Sequence, residues 1–110
     1  MMAYSLELCE RLRDAVDLMP RMTEKKMFGG IVYLYQGNML AGIWKDHLIL
    51  RLGAEQASAA LKQKHVKVFD ITGKPMKNWV MIHENRVVGE AALKSWLQKA
   101  HDFVGTLPPK

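Results

Sequence analysis

Four histidines, His47, His65, His83 and His101, recur at intervals of 18 residues. Imidazole is the side chain best suited to proton transfer and metal binding near neutral pH. No pair has the short spacing by which one helix or hairpin presents two metal ligands, and Cys9 is the only cysteine, so a structural zinc site is not expected. Read along the chain, the four fall in a turn, a helix end, a strand end and a helix. The carboxylates Asp14, Asp17, Asp46, Asp70, Glu84 and Glu90 form no close pair on a catalytic frame, and no serine sits in a nucleophile elbow. Thr72-Gly73-Lys74-Pro75-Met76 lacks the upstream glycine and following hydroxyl residue of a phosphate loop, and Pro75 opposes the helix that should follow. These residues predict no enzyme and no cofactor or metal site.

Cys9 lies on an apolar helical stripe without a flanking His or Lys to stabilise a thiolate, and reads as a small buried hydrophobe. It excludes an intrachain disulfide and fits a reducing compartment. Sixteen Lys and Arg against eleven Asp and Glu give a formal charge of +5, which favours polyanions only if concentrated on one surface. The candidate basic surface comprises Arg21, Lys25, Lys26, Lys62, Lys64, Lys67, Lys74 and Lys77. Lys26-Met27-Phe28-Gly29-Gly30-Ile31-Val32-Tyr33 partly matches an RNA-binding strand motif, K/R-G-F/Y-G/A-F-V-x-F/Y. Met27 replaces a glycine there and Gly30 a stacking aromatic, which removes a main source of affinity for bases.

The elements that must carry these groups follow from periodicity. Apolar residues Leu6, Cys9, Leu12, Val16 and Met19, widened by Leu8 and Ala15, predict an amphipathic helix over 5–19, with Ser5 as N-cap and Pro20 as its stop. Residues 21–25 read as a short charged connection. Three strands follow over 27–35, 39–44 and 48–52, with separators short enough for antiparallel hairpins. A small-residue helix over 54–64, a hairpin from strands 66–71 and 78–83 around the turn at 72–75, and a closing helix over 89–104 complete the chain. Adjacent Gly29 and Gly30 interrupt a strong strand pattern and predict a bulge or close backbone approach.

The order predicts a two-layer α+β fold, α-β(3)-α-β(2)-α, with one five-stranded antiparallel sheet covered by helices on one face. At 110 residues the chain is expected to be one domain, with a frayed tail over 105–110. No stretch approaches the length of a membrane span. The N-terminus lacks the basic region of a signal peptide, so the expected location is the cytoplasm.

Taken together, Met27-Phe28-Gly29-Gly30, the following Tyr33 strand, the Gly37 turn and Gly73-Lys74-Pro75-Met76 resemble the TfoX N-terminal domain family over nearly the whole chain. The two motifs at this separation, between flanking helices, are more specific together than either alone. The resemblance implies a bacterial cytoplasmic protein linked to regulators of natural competence and DNA uptake, whose full-length members carry a second, C-terminal helical domain. The strand Trp79-Val80-Met81-Ile82 departs from the tyrosine-rich pattern often found there. The family brings no established catalytic residues.

The resulting expectation is a non-enzymatic regulatory or protein-interaction domain. A partner such as a transcription factor would dock on an exposed sheet edge, or on the surface around residues 28–30 and 74–76. The alternatives are weakly specific nucleic-acid binding by a basic surface, and small-ligand binding.

Overall fold

Ser5 is an extended residue whose hydroxyl accepts the Leu8 N–H, and helix α1 runs from there over Leu6–Val16. A computed structural model describes residues 5–27, 30–69, 78–87 and 89–109 of the protein. The strands are β1 (Met22–Met27), β2 (Gly30–Tyr35), β3 (Asn38–Trp44), β4 (His47–Arg51), β5 (Val66–Val68) and β6 (Trp79–His83). Helix α2 covers Gly53–Ala60, a single 3-10 turn Glu84–Arg86, and helix α3 Glu90–Val104. Every strand pairing is antiparallel, in the order β1-β2-β3-β4-β6-β5.

The fold is the expected α+β arrangement, with six strands among the described residues rather than five. The extra strand comes from residues 21–25, expected as a connection. Thr23 to Lys26 are exposed and charged or polar, so they lack the apolar alternation that marks a strand in sequence. Backbone pairing with β2 forms the strand instead, in the register Met22↔Tyr35 to Met27↔Gly30. Gly30 therefore opens β2, paired with Met27, and does not interrupt a strand.

Gly30 is required by proximity. A Cβ there would stand 2.0 Å from the Ile43 carbonyl oxygen and 3.1 Å from its carbon, so β3 passes too close for any side chain. The irregularity of the sheet lies elsewhere: the β2–β3 register shifts between Tyr33 and Leu34, which pair with Ala41 and Met39 and leave Leu40 as the additional residue. The β2–β3 hairpin closes with Gln36 at φ 51° and Gly37 at φ 86°, the positive pair that suits a two-residue turn to the twist of its strands.

One face of the sheet packs against all three helices. Ile31, Tyr33, Ile43, Leu48, Leu50, Val80 and Ile82 join Leu8, Leu12, Ala57, Ala60, Leu93, Leu97 and Val104 in the main core. On the opposite face a smaller cluster groups Ile49, Phe69 and Trp79, flanked by Met39, Trp44 and Met81. Alternation along β4 explains the division, since Leu48 and Leu50 point one way and His47, Ile49 and Arg51 the other.

The apolar stripe of α1 is rotated from its expected position, while α2 packs through its small residues as expected. In α1 Leu8 is fully buried whereas Leu6 is 51% exposed, so the buried set is Leu8, Cys9, Leu12 and Val16. Leu6 begins the helix immediately after the cap, where its side chain faces away from the sheet. In α2 the packing residues are Ala57 and Ala60, and Leu61 follows the last turn at 36% exposure. Helix α2 starts at Gly53, earlier than expected, with φ +85° and the Phe103 ring where its Cβ would be, 2.4 Å away. Both constraints select glycine there.

Candidate functional site

Three of the four widely spaced histidines meet near one end of the β4–β6–β5 side of the sheet. His47 opens β4 and His83 closes β6, and the ladder sets them directly opposite each other. Their ring centroids are 5.2 Å apart at 86°. Lys45 and Asp46 form the two-residue loop between β3 and β4, with Lys45 at φ 55°, a conformation uncommon outside glycine.

That loop presents Asp46 to both rings. His83 Nε2 lies 2.9 Å from Asp46 Oδ2, while His83 Nδ1 accepts the Asn85 backbone N–H at 3.1 Å. The second bond assigns the tautomer: with Nδ1 accepting, Nε2 carries the proton and donates to Asp46. His47 Nδ1 is 2.9 Å from Asp46 Oδ1, but the contact lacks hydrogen-bond geometry and leaves that buried nitrogen without a hydrogen-bond partner among the described residues.

Titration reflects these contacts. Burial holds His47 below its ordinary imidazole value, against the opposing pull of Asp46, and the nearby His83 and Lys67 lower it further. Burial would raise Asp46, but the His83 hydrogen bond and neighbouring positive charges hold its carboxyl below the usual range. The surrounding segments are tied together by backbone: Ser5 N–H donates to the Lys45 carbonyl at 2.8 Å and Glu84 N–H to that of Asp46 at 2.8 Å. The Ser5 hydroxyl donates to Glu84. The cap of α1, the β3–β4 loop and the 3-10 turn thus form one braced junction.

His83 also lines a depression of about 560 Å³ with Lys64, His65, Lys67 and Arg86. All five are nitrogen-bearing side chains, and among the described residues no carboxylate shares the lining. Trp44 continues the surface beyond His47, at 6.5 Å between ring centroids, with Lys45 Nζ 4.7 Å above the indole. His101 stands apart on α3, edge-on to Tyr35 at 4.7 Å. Among the described residues no group of three or more His, Cys, Asp and Glu is placed to hold a metal ion.

The opposite edge of the sheet is built differently. Thr23, Glu24, Lys25 and Lys26 of β1 are exposed, and β1 pairs only with β2 among the described residues. Tyr33 donates its hydroxyl to Glu24 Oε1 at 2.7 Å, and Arg13 of α1 reaches the same oxygen at 3.2 Å. Burial, then the bond to Glu24, raises the Tyr33 hydroxyl well above the ordinary phenol value. The Tyr33 bond, with Arg13 in support, holds Glu24 below its ordinary value. Cys9, in the core nearby, is raised by burial, as befits an inert packing thiol.

The basic residues singled out in sequence divide between these edges. Arg21, Lys25 and Lys26 lie at or just before β1; Lys62, Lys64 and Lys67 lie on β5 and the connection leading to it. Five inter-strand spacings separate the edges, about 24 Å. Phe28, Gly29, Gly73, Lys74, Pro75, Met76 and Lys77 lie outside the described residues, as does the side chain of Met27, which ends β1. Sequence reasoning passed over Asp46, His65, His83 and Arg86 as site residues. Their proximity depends on the β4–β6 register, which no local spacing encodes.

Among solved structures the fold is similar to the crystal structure of Deinococcus radiodurans protein DR2400, described by the domain DUF419, at a TM-score of 0.69 and 20% identity. The likeness covers 96% of this chain and 80% of that one, and at this identity it concerns the fold alone. No curated protein matches the chain. Among the described residues no helix is long and apolar enough to cross a membrane. The family model of the TfoX N-terminal domain matches residues 14–104, most of the length, and the protein belongs to that family.

Proposed function

We propose that this domain is a non-enzymatic regulatory module that docks a partner protein, such as a transcription factor, along edge strand β1. The observation that carries this reading is an exposed edge strand held in place from behind. Gln36 N–H donates to the Arg21 carbonyl at 3.3 Å, so alternation along the antiparallel pair turns the backbone groups of Met22, Glu24 and Lys26 outward. These are the groups a partner strand would bond.

The Tyr33 and Arg13 contacts to Glu24 fix the strand before binding, which lowers the entropy lost on docking. Lys25 and Lys26 disfavour pairing with a second copy and favour an extended acidic segment. The link between TfoX relatives and competence regulation supports placing the docking event in control of DNA uptake.

The test begins with complexes isolated from the native cell after nuclease treatment. The partner so identified is then titrated against Lys26→Pro, which removes an outward N–H, and against Lys25→Glu with Lys26→Glu. Both variants are expected to bind at least tenfold more weakly with unchanged melting. Failure to recover a specific protein, or binding by both variants as tight as the parent's, would remove the proposal.

A further inference from the structure

We infer that the depression lined by Lys64, His65, Lys67, His83 and Arg86 is a binding site for the phosphate backbone of single-stranded nucleic acid. It lies on the β5 side of the sheet, so it is a second activity independent of docking at β1. Three permanent cations and two imidazoles converge there, with no carboxylate in the lining among the described residues. Two carboxylates of the adjoining junction are already engaged: Asp46 accepts from His83, and Glu84 from the Ser5 hydroxyl.

Two features identify the polyanion. First, Lys64, Lys67 and Arg86 are exposed and His65 and His83 half-buried, so the depression is an open groove. A small nucleotide would instead be expected in a pocket that encloses most of its surface. Second, rings continue from the groove through His83 and His47 to Trp44, with centroid separations of 5.2 and 6.5 Å. Cationic grooves flanked by aromatic rings suit strands whose bases are unpaired and free to stack. A duplex keeps its bases stacked on one another and gains nothing from the Trp44 end.

Fluorescence polarisation with a labelled single-stranded deoxyoligonucleotide about 15 nucleotides long, titrated at several salt concentrations, tests the site. Lys64→Ala, Lys67→Ala and Arg86→Ala combined should weaken binding at least tenfold at low salt. Loss of three phosphate contacts should also reduce the slope of log affinity against log salt by about 2. All three side chains are exposed, so thermal melting should be unchanged.

Lys25→Ala with Lys26→Ala, at the far edge, serves as the control and should retain binding. The same sequence as a duplex should bind more weakly, and inorganic phosphate should compete only at far higher concentration. The inference is overturned if the triple variant binds like the parent, if the far-edge control loses as much affinity, if duplex binds as well as single strand, or if inorganic phosphate competes as effectively as unlabelled oligonucleotide. None of these outcomes depends on whether a protein docks at β1.

Discussion

His47 and His83 face each other across the β4–β6 ladder with ring centroids 5.2 Å apart, and the carboxylate of Asp46 lies 2.9 Å from a nitrogen of each. The two imidazoles are not equivalent. His83 is fixed by hydrogen bonds at both nitrogens, whereas His47 Nδ1 has no hydrogen-bond partner among the described residues.

Acid should therefore weaken the fold through His47. Its pKa in the folded protein is lowered from 6.5, so between the folded and unfolded values the unfolded chain binds more protons. Stability present above pH 6.5 is lost as pH falls towards the folded value. Asp46, also lowered, gives up its contribution only in stronger acid, below its ordinary value of 3.8. Urea titrations from about pH 7.5 to 5 should show a smaller loss of stability for His47→Gln than for the parent; equal losses would assign the effect to other groups.

Replacing Gly30 with Ala should cost about 3 kcal/mol or more, because the new Cβ has backbone for a neighbour and no flexible side chain to displace. The nearest atom, the Ile43 carbonyl oxygen, would be 2.0 Å away. Gly30→Val should be worse and recover little soluble protein. Chemical denaturation of the alanine variant checks the figure, and near-native stability would mean that β3 can withdraw from β2.

Tyr33→Phe removes the hydroxyl that donates to Glu24 while preserving the buried ring. A loss of about 1.5–3 kcal/mol is expected for a hydrogen bond to a charged group. The acid limb should also flatten, because Glu24, lowered from 4.5 by this bond first, adds stability above that pH and loses it as pH falls through the folded value. Parallel denaturation curves near pH 7 and pH 3 distinguish this from a simple packing defect, which would shift both equally.

Leu8→Ala and Leu6→Ala should differ sharply although both residues belong to the same apolar helix. Leu8 is fully buried and Leu6 51% exposed, so the first should cost about 2–5 kcal/mol and the second within about 0.5 kcal/mol. Comparable losses would show that α1 packs through the stripe centred on Leu6.

The amino-acid sequence by itself determined the class of fold and most of its elements. Period 3.6 in α1 and α3, short polar separators between β-rich runs, and Ser5 as the N-cap of α1 are local signals, whereas α1 ends at Val16, ahead of the Pro20 expected to stop it. Each acts over a few residues, so each is legible before folding. The need for glycine at position 30 was also legible as close approach, though not that the approaching group is the Ile43 carbonyl.

Only the tertiary structure decided where β1 begins, which side of α1 faces the sheet, and which distant residues share a site. Strand β1 lacks apolar alternation because it is an edge strand with exposed side chains, and it forms by backbone pairing that almost any sequence can satisfy. His47 and His83 become neighbours because β4 pairs with β6 in a register set by Leu48, Leu50, Val80 and Ile82 entering one core. A one-residue slip would turn each of those side chains to the opposite face. The free energy that brings His47, Asp46 and His83 together thus comes largely from apolar residues beside them, which is why the spacing of the polar residues alone carried no sign of it.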